Sequence, residues 1–194
     1  MDGIVTILKE PYNRTVRDLW VRIQEVCKFV APAHLPETPN PWLGFNNDED
    51  LPHFSWHIAE SYDRNRLSEV LKTICQETSP FTARTAGLGI FTIPKPVIYI
   101  VVVKDRPLLE FHEKLWQRVD GLGQGVSSYY TSGMWVPHIT LAHENLDSTA
   151  MGCIIQELAS LTFDWEMKVE DLAIASQAGS EGLRAHSQFH FKKE

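Results

Sequence analysis

One short pattern occurs twice in this chain: Pro52-His53-Phe54-Ser55-Trp56 and Pro137-His138-Ile139-Thr140-Leu141. In each copy a histidine precedes a hydroxyl residue by two positions. An extended strand alternates its side chains between two faces, so this spacing sends the imidazole and the hydroxyl of each copy the same way. A fold that brings the copies together surrounds one small volume with a proton acceptor, a proton donor and two neutral hydrogen-bond donors.

The segments around the two copies keep one order, which makes the pattern a constraint on the fold. Ile4 to Leu8 reads as a strand, and Leu19, Val21, Ile23, Val26, Cys27 and Val30 recur at roughly helical spacing. The first histidine strand spans His53 to Ala59. A helix follows with Leu67, Val70, Leu71, Ile74 and Cys75 on one face and Asp63 as its N-cap. Phe81 to Thr92, interrupted by Gly87 and Gly89, suits a strand pair or a bulged strand. The sequence then repeats itself in kind: a strand over Val97 to Val103, a helix through Leu108, Leu109, His112, Leu115, Trp116 and Val119, and the second histidine strand over Val136 to Ala142. Asp147 or Ser148 can cap a helix carrying Met151, Ile154, Ile155, Leu158 and Leu161. Val169 to Ser176 and Arg184 to Phe191 form a hairpin around Gly179-Ser180-Glu181-Gly182. The expectation is an α+β chain forming one domain over residues 1–194, with duplicated units of approximately 1–93 and 94–194.

Composition narrows the function. A chain of 194 residues, 43% hydrophobic and 22% charged, is large enough for a full core. Its formal charge of -7 disfavours tight binding of long nucleic acid, whose affinity comes mainly from Lys and Arg neutralising phosphates. A nucleotide or an RNA terminus stays open as a partner. The apolar run Val97 to Val103 is far short of the roughly 20 residues that cross a membrane. Met1-Asp2-Gly3-Ile4-Val5 lacks the features of a secretory signal. Cys27, Cys75 and Cys153, widely spaced among helix-like apolar positions, read as reduced core thiols and fit a cytoplasmic protein.

Each histidine strand follows a long irregular stretch, Ala31 to Leu51 and Gly121 to Trp135, and such loops often bind ligands. Trp42, Phe45, Tyr129, Tyr130 and Trp135 could stack a nucleobase there, or fold back to seal the loops onto the core. For a ribose 2',3'-cyclic phosphate, hydrolysis needs a base to deprotonate water and an acid to protonate the departing oxygen. His53 and His138 can supply both, Ser55 and Thr140 can bond the non-bridging oxygens, and no metal or other cofactor is needed. By alternation His57 shares the face of His53 and Ser55, where it either extends the site or is a buried histidine bonded to a neighbour. His143 falls opposite His138 unless a bulge intervenes. Two other functions use the same residues. A metallohydrolase could be assembled from His53, His57, His138 and Glu60 or Glu144, but it leaves the repeated hydroxyls unexplained. A nucleotide or RNA-end sensor would have no need of two proton-transfer groups.

The duplicated His-x-(Ser/Thr) motif, with its matching prolines and strand context, resembles the 2H phosphoesterase superfamily, specifically its 2'-5' RNA ligase-like branch. The resemblance implies a bilobal, pseudo-symmetric α+β fold, with two antiparallel sheets facing a central cleft and helices outside. It also implies metal-independent cyclic phosphodiesterase activity, or the joining and cleavage of 2'-5' linked RNA ends, in a protein expected to act as a monomer. Carried onto this chain, His53 and His138 become acid and base, and Ser55 and Thr140 the phosphate ligands. His57, His143, Tyr130 and Trp135 join the candidate substrate contacts. His143 stands where many relatives carry arginine, which shifts the expected substrate from extended RNA toward a small cyclic phosphodiester or an RNA end.

Overall fold

The computed structural model describes residues 1–30, 50–176 and 183–192. Trp42, Phe45 and the turn at 179–182 lie outside them. In chain order the elements are β1 (Asp2–Ile7), α1 (Tyr12–Cys27), β2 (His53–Ala59), β3 (Ser61–Tyr62), α2 (Arg64–Gln76), β4 (Phe81–Phe91), β5 (Val97–Val102), α3 (Arg106–Val119), β6 (Gly123–Gln124), β7 (His138–Ala142), α4 (Ser148–Leu158), β8 (Glu166–Val169), β9 (Asp171–Ser176) and β10 (Arg184–His190). The strands form two four-stranded antiparallel sheets, ordered β10-β9-β1-β2 and β7-β5-β4-β8, with a short β3-β6 ribbon.

Local chemistry explains where the helices begin. Asp63 accepts from the backbone N–H of Arg66, Asp105 from Leu108 and Asp147 from Ala150, each satisfying a donor that the first helical turn leaves unpaired. Helix α1 buries Val16, Leu19, Trp20, Ile23 and Cys27, a single stripe at helical spacing, and leaves Val21 and Val26 exposed. The segment from Phe81 is one bulged strand. It pairs with β8 through Phe81–Arg84 and with β5 from Thr85 onward, and its register slips between Thr85 and Leu88, where Gly87 adopts a φ of +79°.

The sheets exchange strands between the sequence halves: β9 and β10 complete the sheet that holds β1 and β2, while β4 belongs with β5, β7 and β8. Each histidine strand is therefore an edge strand. Although they belong to different sheets, β2 and β7 are neighbours, and the sheets meet along them. The helices pack crosswise, α1 against β7 and α3 against β2.

One expectation is overturned. Cys27 and Cys153 form a disulfide between α1 and α4, with Cα atoms 6.0 Å apart, and only Cys75 is a free, buried thiol. Apolar periodicity correctly placed these cysteines on packed helix faces but carries no information about which helix each face meets. The disulfide removes the cysteine-based argument for a reducing compartment. Among the described residues no helix is long and apolar enough to cross a membrane.

Candidate active site

Both histidine strands carry the same irregularity. Along β2, Val5 pairs with Ser55 and Ile4 with His57, so Trp56 is the extra residue of a bulge. Along β7, Tyr99 pairs with Thr140 and Ile98 with Ala142, so Leu141 is the extra residue. The bulge thus falls immediately after the hydroxyl residue in each copy. Before it, alternation holds: Phe54 and Ile139 are buried, while His53, Ser55, His138 and Thr140 are half-buried on the opposite face. After it the faces switch.

That switch corrects the placement of His57. The residue turns into the core, where its Nδ1 lies 2.5 Å from the Tyr62 hydroxyl and its ring packs on Trp116. Burial and the neighbouring His112 push it down to about 4, so it is neutral at physiological pH. The same switch brings His143 to the cleft face. The candidate metal set of His53, His57 and His138 is not brought together.

His53 and His138 line one cavity of about 360 Å³, with Thr140, His143, Tyr130, Asp50 and Trp20. Each imidazole is fixed in the same manner. A carbonyl can only accept, so Nδ1–H of His53 donates to Leu51 O at 2.6 Å, and Nδ1–H of His138 donates to Val136 O at 2.7 Å. In both copies the acceptor lies two residues upstream, and Nε2 is the ring nitrogen left for chemistry. Burial lowers the His138 imidazole; its bond to Val136 opposes this and the nearby His53 adds to it. Burial likewise lowers His143, against the pull of Glu144 and Asp50.

Ser55 is not among the residues that line this cavity, although it shares the half-buried face of β2 with His53. Burial pushes the phenol of Tyr130, which does line it, upward, and the Ser55 side chain opposes this. Trp135 is only 1% exposed, stacked on His112 at 3.8 Å between ring centroids and packed on Trp56 at 5.3 Å. It forms part of the wall of a second cavity of about 230 Å³, which shares Val97, Tyr130 and His138 with the first and is otherwise mostly apolar, with Phe91, Ile93, Tyr129 and Met134 at its sides and Lys95 at its rim. Among the described residues, sequence reasoning missed Asp50, Trp20 and the pair Phe91 and Tyr99, whose rings flank His138 at 5.0 and 5.1 Å. Asp50 sits three residues before His53, where the second copy has Trp135 before His138, so the two copies differ there and the repeat gave no signal for it.

Comparison with known proteins agrees with this architecture. The sequence model of the 2'-5' RNA ligase superfamily matches residues 19–181, and the chain belongs to that superfamily. A Bacillus cytotoxicus protein, named for an inferred phosphoesterase activity, is 27% identical over 145 residues, 73% of this chain and 80% of its own length. Among solved structures, E. coli LigT in complex with 3'-AMP has a TM-score of 0.60 at 15% identity, covering 99% of this chain and 98% of LigT. A Thermus thermophilus protein has a TM-score of 0.60 at 18% identity, covering 98% and 97%. These two likenesses show that the chain has the fold of LigT.

Proposed function

We propose that the cavity between β2 and β7 is the site of a metal-independent phosphodiesterase acting on 2',3'-cyclic phosphates or 2'-5' linked nucleotides and RNA ends. The observation that carries this reading is the paired geometry. Two histidines, each with Nδ1 held by the carbonyl two residues upstream, line one cavity large enough for a phosphate and part of a ribose. One Nε2 removes a proton from water as its oxygen bonds to phosphorus, and the other delivers a proton to the ribose oxygen whose bond to phosphorus breaks. Thr140, which lines the cavity, and Ser55, on the matching face of β2, donate to the non-bridging oxygens. Run backwards, the same groups serve ligation.

The second cavity supports a nucleotide as the substrate class, since a flat base fits against its aromatic and aliphatic sides, a contact worth ~1–3 kcal/mol. The 3'-AMP in the LigT structure favours the same class. The acidic chain and the imidazole at His143 favour a small diester or a terminus over long RNA.

The test is hydrolysis of 2',3'-cyclic nucleotides and 2'-5' dinucleotides in EDTA, with metal analysis of the protein used. Turnover persists without metal, and His53→Ala or His138→Ala lowers it ~100-fold or more. Unchanged rates in both variants would remove the assignment.

A further inference from the structure

One buried imidazole next to the site plays no part in the proton transfers. His112, on α3, is fully buried, and its Nε2 lies 3.2 Å from Trp56 O. A carbonyl can only accept, so Nε2–H is the donor. Trp56 is the extra residue of the β2 bulge, directly after Ser55. The face of the same imidazole lies flat on Trp135, with 3.8 Å between ring centroids and 5° between planes, and Trp135 gives its indole N–H to Ser55 O at 2.9 Å. Consecutive carbonyls of the first hydroxyl strand are thus tied to one stacked pair of rings from the second half of the sequence.

We propose that His112 is a positioning residue: through the Trp56 carbonyl and the Trp135 ring it holds the β2 bulge, and with it the Ser55 hydroxyl, against the substrate phosphate. The proposal rests on the two-histidine phosphodiesterase reading and adds to it a residue that never touches substrate. Ser55 is set back from the residues that line the catalytic cavity, so its reach to a phosphate oxygen depends on the course of β2 at this bulge. A bulge interrupts the ladder at its extra residue, and side-chain donors then decide how the strand runs there.

The choice of residue argues against packing alone. With the proton on Nε2, the neutral ring carries a lone pair on Nδ1, which is buried and has no hydrogen-bond partner among the described residues. Burial pushes the imidazole down to about 4, against the influence of the Trp56 and Tyr130 backbones, so the ring gains no second proton with which to satisfy that nitrogen. A buried acceptor without a partner costs stability, and phenylalanine would cover Trp135 without that cost. Phenylalanine lacks the donor to Trp56. Asparagine and glutamine donate but bring no ring to Trp135. The imidazole supplies the flat face and the edge N–H together.

A double-mutant cycle with Ser55→Ala on the full chain tests this, read as kcat and KM for 2',3'-cyclic nucleotide hydrolysis and as affinity for inorganic phosphate. His112→Phe keeps a ring on Trp135 and removes the donor. Alone it lowers kcat ~10-fold and moves KM less than ~3-fold, because the Ser55 contact strengthens as charge builds on the phosphate oxygens. In the Ser55→Ala background it changes kcat less than ~2-fold, since the hydroxyl it places is gone. Phosphate affinity follows the same pattern, falling ~3-fold with the Ser55 hydroxyl present and not at all without it. A merely structural role lowers activity by the same factor in both backgrounds, and that result, or a fully active His112→Phe, overturns the proposal. Should His112→Phe not fold, His112→Met, adaptable in shape and likewise without a donor, takes its place in the cycle with the same outcomes. Should the wild-type protein hydrolyse no cyclic phosphate, the phosphodiesterase reading fails while the phosphate cycle still judges His112: an affinity that His112→Phe leaves unchanged, or no binding at all, overturns its role.

Discussion

The indole N–H of Trp135 donates to the carbonyl of Ser55 at 2.9 Å, from one half of the sequence to the hydroxyl strand of the other. The reciprocal bond runs from Trp20 on α1 to the carbonyl of Thr140 at 3.1 Å. Each candidate phosphate ligand is thus held at its backbone by a tryptophan from the opposite half. Because β2 and β7 are edge strands of separate sheets, their relative placement depends on such bridges and on the crosswise packing of α1 and α3.

Trp135→Phe keeps an aromatic ring against His112 and Trp56 but removes the donor. A buried carbonyl left unpaired costs ~1–3 kcal/mol, and the urea midpoint falls accordingly. Because Ser55 then shifts relative to Thr140, turnover falls ~10-fold. A variant with wild-type turnover would show that the bridge supports stability alone.

Gly89 is a sharper probe of the wall behind His138. The Tyr99 ring lies over this glycine so closely that an added Cβ would meet Cε2 and Cζ at 2.5 Å, while the same ring stacks on Phe91 and touches His138. Gly89→Ala therefore displaces Tyr99 and, through it, the His138 imidazole. Turnover falls ~10-fold or more with a small change in stability, and Gly89→Ala/Tyr99→Leu recovers part of the rate by relieving the clash. A fully active single variant would show that Tyr99 moves without disturbing His138.

The sequence made the order of the helices and longer strands, the caps at Asp63 and Asp147 and the two histidine strands legible, because each is a local pattern of periodicity or capping. It did not reveal β3, β6 or β8, whose four residues or fewer carry no period, and the last residue of β8, Val169, reads from sequence as part of the strand to Ser176. It could not show the bulges at Trp56 and Leu141. A bulge is recognised by register against a partner strand, and strict alternation consequently put His57 on the cleft face and His143 away from it, the reverse of their positions. Asp50 was hidden for another reason. A carboxylate in a Pro-rich loop reads as solvated until long-range folding brings Leu183 to it. The Cys27–Cys153 bond has the same character, joining helices 126 residues apart in sequence.

Stability should decline on mild acidification. His57 and His112 are fully buried, and burial first, with the neighbouring His112 in the case of His57, pushes each from 6.5 down to about 4. The folded state keeps both neutral, whereas the unfolded chain protonates them as pH falls through about 6.5. Unfolding stability is therefore full above that value, decreases between about 6.5 and 4, and levels off for these two groups below about 4. The loss amounts to a few kcal/mol per histidine. Urea midpoints at pH 7.5, 5.5 and 4.5 measure it, and His57→Phe flattens the slope. An acid slope unchanged by that substitution would show that carboxylates, not this histidine, control it.

The disulfide closes a long loop between α1 and α4; cross-links typically stabilise by ~2–4 kcal/mol, and one of this span by up to ~5 kcal/mol, chiefly by restricting the unfolded chain. Reduction, or Cys153→Ser, lowers the unfolding free energy by that amount. It leaves turnover at 25 °C nearly intact, because Trp20, which holds Thr140, lies about two helical turns before Cys27 on a helix whose packed face persists. Thiol titration of the unfolded chain supplies the direct check. One reactive group, Cys75, is expected without reductant and all three cysteines after reduction. Three reactive thiols in protein purified without reductant would show that α1 and α4 are held by packing alone.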